Sequence, residues 1–131
     1  MVKMSEVVNW EKVLEQVQGD EEFLIEVLGD LLKEARESEV EIAEGIEKRD
    51  WDCVSKAAHR VKGSSAYLNC EQMRVCSSNL QNLGHDALAA AATEKIDEIA
   101  RSIISWFAEY RESVNRVESA IKERYGDRKL G

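Results

Sequence analysis

His59 is the side chain whose neighbours in the sequence point to chemistry. An imidazole changes charge near neutrality, so it can serve as a nucleophile, a base or a metal ligand. Lys56, Arg60 and Lys62 surround it with positive charge in a chain whose formal net charge is −8. Cations next to a histidine favour its neutral, nucleophilic form and stabilise an anionic group carried on it. They also attract a carboxylate-rich partner; the plainer use of such residues is an ordinary solvated helix face. Gly63 follows His59 by one helical turn. A glycine inside a helix costs about 1 kcal/mol relative to alanine, so this position suggests that something must come close, either a partner molecule or a neighbouring helix.

The segment around His59 reads as a helix from Asp50, its N-cap, through about Leu68, with Asn69 suited to a left-handed turn. On a helical wheel with about 100° per residue, Val54, Ala57, Val61 and Leu68 lie opposite His59. Asp52, Ser55, Lys56, Lys62, Gly63 and Ala66 share its side. The histidine is therefore predicted to point outward, over a surface kept low by Gly63 and Ala66. Ser64 and Ser65 fall at the flanks, where helix packing is their expected role. An idle surface histidine remains the alternative to a reactive one at this stage.

The elements that must position this helix are also helical. There are no prolines and only 7 glycines among 131 residues, and 44% of the chain is hydrophobic, enough for one domain, residues 1–131, with a core of its own. An amphipathic helix is predicted from Ser5 to Val17, closed by Gly19. Asp20 caps a long second helix in which Phe23, Leu24, Val27, Leu28, Leu31, Leu32, Ala35, Ile42 and Ile46 keep a helical period up to Lys48 and Arg49. After the His59 helix, a fourth is predicted from about Cys70 to Leu83 with Gly84 as its stop. The stretch from His85 to Ala92 reads as a short helix or a loose connection. Thr93 and Glu94 then open a last helix whose apolar residues run from Ile96 to Ile121. Residues 1–4 and 126–131 are expected to fray. The fold class is all-α: an antiparallel four-helix bundle with an additional short N-terminal helix across one end.

Composition removes several classes of function. No apolar run is long enough to span a bilayer and no secretory signal opens the chain, so a soluble intracellular protein is expected. Cys53, Cys70 and Cys76 lack the spacing of a zinc site or a disulfide framework and read as free thiols. The negative charge argues against nucleic acid as a partner. No glycine-rich phosphate loop is present, so phosphorylation from ATP is not expected and the chain does not read as an enzyme. His59 and His85 lack companion carboxylates at the spacing of bundle metal sites, so no metal and no resident cofactor are predicted.

The run His59-Arg60-Val61-Lys62-Gly63-Ser64-Ser65-Ala66-Tyr67-Leu68-Asn69 resembles the signature of the histidine phosphotransfer (HPt) family. There the phosphorylated histidine is followed by x-x-Lys-Gly-Ser-Ser or a close variant. The resemblance continues through Cys76-Ser77-Ser78-Asn79-Leu80-Gln81-Asn82-Leu83-Gly84, which is most similar to fungal phosphorelay intermediates of the osmosensing type. It also takes in Val8-Asn9-Trp10 and Gly19-Asp20-Glu21-Glu22-Phe23-Leu24. The family commonly has glycine where this chain has Asn69, a residue that also tolerates the left-handed turn.

The resemblance implies that His59 is the phosphoacceptor, Lys62 supports the phosphoryl group, Gly63 gives partners access and Gln81 orients the imidazole from the neighbouring helix. Lys56 and Arg60 would add electrostatic docking. Counting outward from the turn at Asn69 puts residues 59 and 81 at heights that agree to within roughly 3 Å. The implied partners are receiver domains of a hybrid sensor kinase and of response regulators, with magnesium on the receiver, and an apolar patch near His59, for which Val13 and Val17 are candidates. A monomer in the cytoplasm or nucleus is the corresponding expectation. A helical-bundle adaptor that binds signalling proteins without being phosphorylated is the alternative from another class.

Overall fold

The computed structural model describes residue 3 and residues 7–126. Five helices occupy them: α1 Trp10–Gln16, α2 Glu21–Lys48, α3 Trp51–Tyr67, α4 Glu71–Ala90 and α5 Ile96–Tyr125. Among the described residues no strand occurs and no helix is long and apolar enough to cross a membrane.

Local chemistry sets most of the helix ends. Asp20 and Asp50 each accept a backbone N–H three residues ahead, from Phe23 and Cys53, at 3.1 Å, which satisfies one of the donors that a helix start leaves unpaired. Asn9 does the same for α1, accepting from Lys12 N. That helix therefore begins at Trp10, later than the predicted Ser5, which lies outside the described residues. Gln18, Gly19, Arg49 and Asn69 take positive φ, and these left-handed residues turn the chain between α1 and α2, α2 and α3, and α3 and α4.

α2 to α5 form a ring in which α3 packs on α2 and α4, and α5 packs on α4 and α2. The long helices α2 and α5 run antiparallel. Arg124 pairs with Glu21, Arg36 with Glu118, and Arg49 with Asp97, so partners descend in α5 as they ascend in α2. Between them the buried Tyr110 hydroxyl donates to the Ala35 carbonyl at 2.8 Å. Burial pushes its pKa far above the usual phenol range, so the hydroxyl keeps its proton and the hydrogen bond persists. The core takes Leu24, Leu28, Leu31 and Ile42 from α2, Val54, Ala57 and Val61 from α3, Met73 and Leu80 from α4, and Ile103, Val114, Val117 and Ile121 from α5. Phe23, counted in the apolar period of α2, is 44% exposed. α1 lies across one end, where Asn9 N bonds Asn69 O at 3.0 Å and Trp10 meets the Tyr125 ring edge-on at 5.9 Å. Cys53, Cys70 and Cys76 are free thiols; burial pushes Cys70 up to about 12 and Cys76 up to about 11.

Two predicted boundaries change. Gly84 does not stop the fourth helix, because α4 continues through it to Ala90 and absorbs most of the alanine-rich stretch. A Cβ at Gly84 would stand 3.0 Å from Ser55 Cβ and 3.1 Å from both Ser55 N and Trp51 O, so the glycine is where α4 touches the α3 backbone. The same contact buries Ser55, which the wheel had placed beside His59. Thr93 does not start α5. Its hydroxyl donates to Ala90 O and accepts from Lys95 N, closing the turn after α4, and the first residue of α5 is Ile96.

Gly84→Ala is expected to lower stability in urea denaturation by about 1 to 3 kcal/mol through overpacking. Gly63→Ala, where an added Cβ meets nothing within 4 Å, should instead be neutral or stabilising by up to about 1 kcal/mol.

Candidate functional site

His59 lies at the middle of α3 and is exposed, while Val54, Ala57 and Val61 behind it are buried. Grooves open on both sides of its ring. The first, about 570 Å³, lies between α2 and α3 and is lined by Val27, Leu31, Glu34, Gly63, Tyr67 and Leu68 together with His59 and Arg60. The second, about 410 Å³, lies between α3 and α4 and is lined by Lys56, His59, Arg60, Gln81 and His85. The first has an apolar floor and an acidic edge, whereas the second is wholly polar or charged.

Gly63 is exposed and contributes to the first groove. With open space around its Cα, no helix of this chain requires the missing side chain. The low surface beside His59 faces outward. Tyr67, 50% exposed one turn further on, also lines that groove. Val13 and Val17, the expected source of an apolar patch, are buried in the core instead, at 0% and 7% exposure. They close the end of the bundle, and the apolar surface next to His59 comes from Val27, Leu31, Tyr67 and Leu68.

Of the cations near His59, two are held by carboxylates. Lys56 pairs with Asp52 one turn back at 2.8 Å, a contact that raises its pKa. The Arg60 guanidinium is drawn across to Glu41 on α2. Lys62 is half-buried, makes no ion pair among the described residues and lines neither groove. Ser64 donates to Glu34 Oε1 at 2.8 Å, tying α3 to α2, and the buried Ser65 hydroxyl donates to Val61 O at 2.7 Å. Both serines thus serve packing.

Gln81 shares the polar groove with His59. Its Oε1 is buried without a hydrogen-bond partner, and no hydrogen bond reaches the His59 ring among the described residues. An unpaired buried acceptor costs about 1 to 3 kcal/mol, so this oxygen calls for a donor, and an imidazole N–H is at hand in the same groove. The structure also brings in His85, one turn after Gln81, so that both histidines of the chain line one cavity. Its spacing of four from Gln81 was the available signal, since residues at i and i+4 share a helix face. That signal was hidden because Gly84 reads as a helix end.

An outward imidazole with a polar groove on one side and a groove with an apolar floor on the other is open to a group brought by another molecule. The Hpt domain family matches this chain over residues 26–120, from the second turn of α2 to near the end of α5. The chain belongs to the Hpt domain family. The phosphorelay intermediate protein rdeA of Dictyostelium discoideum is 30% identical over 64 residues, which is 49% of this chain and 25% of that relative. The match thus spans about a quarter of that relative's length. No solved structure matches. Within the family match fall α3, α4 and both grooves, while α1 lies outside it.

Because His59 makes no packing contact that the fold needs, His59→Gln in this Hpt domain should leave the thermal midpoint unchanged to within about 0.5 kcal/mol of stability. A cooperative melt lowered by several kcal/mol would mark the ring as structural.

Proposed function

We propose that this Hpt domain protein carries a phosphoryl group on His59 between receiver domains in a multistep phosphorelay. The supporting observation is the position of His59 on an exposed ridge between two grooves, beside a glycine that nothing in its own chain fills. A receiver bearing a phosphoaspartate, with magnesium on its own side, docks over the groove of Val27, Leu31 and Tyr67. The lone pair of one His59 ring nitrogen attacks phosphorus in line; the N–P bond forms as the aspartyl O–P bond breaks, and the electron pair leaves on the carboxylate. The proton on the other ring nitrogen stays in place, accepted in a hydrogen bond by Gln81 Oε1, which sets the tautomer. Lys62 offsets charge on the phosphoryl oxygens. Lys56 and Arg60, already paired with Asp52 and Glu41, contribute to docking by exchanging those partners for carboxylates of the receiver. The reverse sequence delivers the group to a second receiver. The receiver supplies most of the rate acceleration, so this chain acts as a carrier, with no cofactor of its own, as a monomer in the cytoplasm or nucleus.

The test is incubation with a phosphorylated receiver domain. Acid-labile, alkali-stable label should appear on the wild-type chain and be absent from His59→Gln. A receiver that binds but never transfers would support an adaptor instead.

Two further variants separate access from chemistry. Gly63→Gln should abolish receiver binding in a titration while the bundle stays folded. Lys62→Ala and Gln81→Ala should each slow transfer about 10- to 100-fold, the size of one lost positioning or electrostatic contact, with receiver affinity unchanged. Equal affinity and equal rates in all three would overturn these roles.

A further inference from the structure

His85 has no part in the reading above, yet it lines the same polar groove as His59. The polar groove between α3 and α4 is bounded by Lys56, His59, Arg60, Gln81 and His85. Its volume of about 410 Å³ holds a phosphoryl group with several waters, each of which takes about 30 Å³. Lys56 and Arg60 are each paired with a carboxylate. His85 is exposed, and neither a hydrogen bond nor an ion pair holds it among the described residues. Asp86 adjoins it in sequence on α4, and Asp52 on α3 is paired with Lys56. Its ring is therefore an uncommitted donor of the cavity among the described residues.

We infer that His85 is a phosphoryl-binding residue: its ring N–H donates to a phosphoryl oxygen carried on His59 and lengthens the life of the phosphohistidine. The inference rests on the phosphotransfer reading of His59. Hydrolysis of a phosphohistidine passes through a loose, metaphosphate-like transition state in which the phosphoryl oxygens carry less negative charge than in the ground state. A donor on those oxygens consequently stabilises the ground state more and slows loss of the group to water. The effect should be larger on spontaneous hydrolysis than on transfer to a receiver, where the metal of the receiver takes over the same oxygens.

The experiment phosphorylates the full chain chemically with phosphoramidate, which needs no partner, and follows the phosphohistidine signal by phosphorus NMR in wild type, His85→Ala, His85→Lys and His59→Gln. The expected result is equal labelling of wild type and both His85 variants, and none at this site in His59→Gln. Hydrolysis should be about five- to tenfold faster in His85→Ala, the size of one partly screened charge-assisted hydrogen bond, and His85→Lys should restore the wild-type lifetime. The His85 ring nitrogens of the wild type should also shift on phosphorylation. An unchanged lifetime in His85→Ala overturns the inference and leaves the phosphotransfer reading standing. A short lifetime that His85→Lys does not rescue assigns His85 to structure and overturns the inference as well. Failure of the wild type to take label at His59 overturns the phosphotransfer reading itself.

Discussion

The close approach of α3 and α4 at Gly84 governs the geometry of the site. A Cβ there would fall within 3.1 Å of Ser55 and of the backbone of α3 at Ser55 and Trp51, so the two helices touch with no α4 side chain between them. Everything else on α4 takes its place from that contact. Gln81 lies one turn before Gly84 and His85 directly after it, and both end beside His59 because the helices are locked together there. The local penalty of glycine in mid-helix, about 1 kcal/mol, is offset by the burial of Trp51, Ser55 and Leu80 that close packing allows. Gly63 is the opposite case: it has the same residue type and the same helical setting, but open space where Gly84 has backbone.

On the other flank, α2 shapes the site through charge as well as packing. Glu34 holds Ser64 and Glu41 holds Arg60, which turns the guanidinium of Arg60 towards α2. Exposed ion pairs of this kind contribute about 0 to 1 kcal/mol each, so they orient side chains more than they stabilise the bundle. Stability comes from the apolar core and from buried links such as the Tyr110 hydroxyl to Ala35 O. The result is a histidine whose two sides differ, one apolar and one polar, on a rigid helix.

Much of this was legible in the amino-acid order because it depends on contacts a few residues long. The caps at Asp20 and Asp50, the left-handed turn at Asn69 and the outward direction of His59 follow from i to i+3 hydrogen bonds and the 3.6-residue period, and the structure has all of them. The motif from His59 to Ser65 pointed to the Hpt family, which the match over residues 26–120 shows. Most of the misreadings share one cause. Gly84 as a stop, Ser55 on the open face, and Val13 and Val17 as candidates for a docking patch each assigned a role from local composition to a residue whose place depends on another helix; Thr93 instead closes a local turn after α4 rather than opening α5.

The sequence by itself therefore determined the helices, their buried faces, the family and the exposure of His59, since periodicity and capping act within one element. Only the tertiary structure decided what surrounds the imidazole. It paired Lys56 and Arg60 with Asp52 and Glu41, left Gln81 Oε1 buried without a donor, and put His85 in the groove with His59. These outcomes depend on the separation and register of neighbouring helices, which are set by how closely two backbones can approach, and no single-helix pattern records that distance.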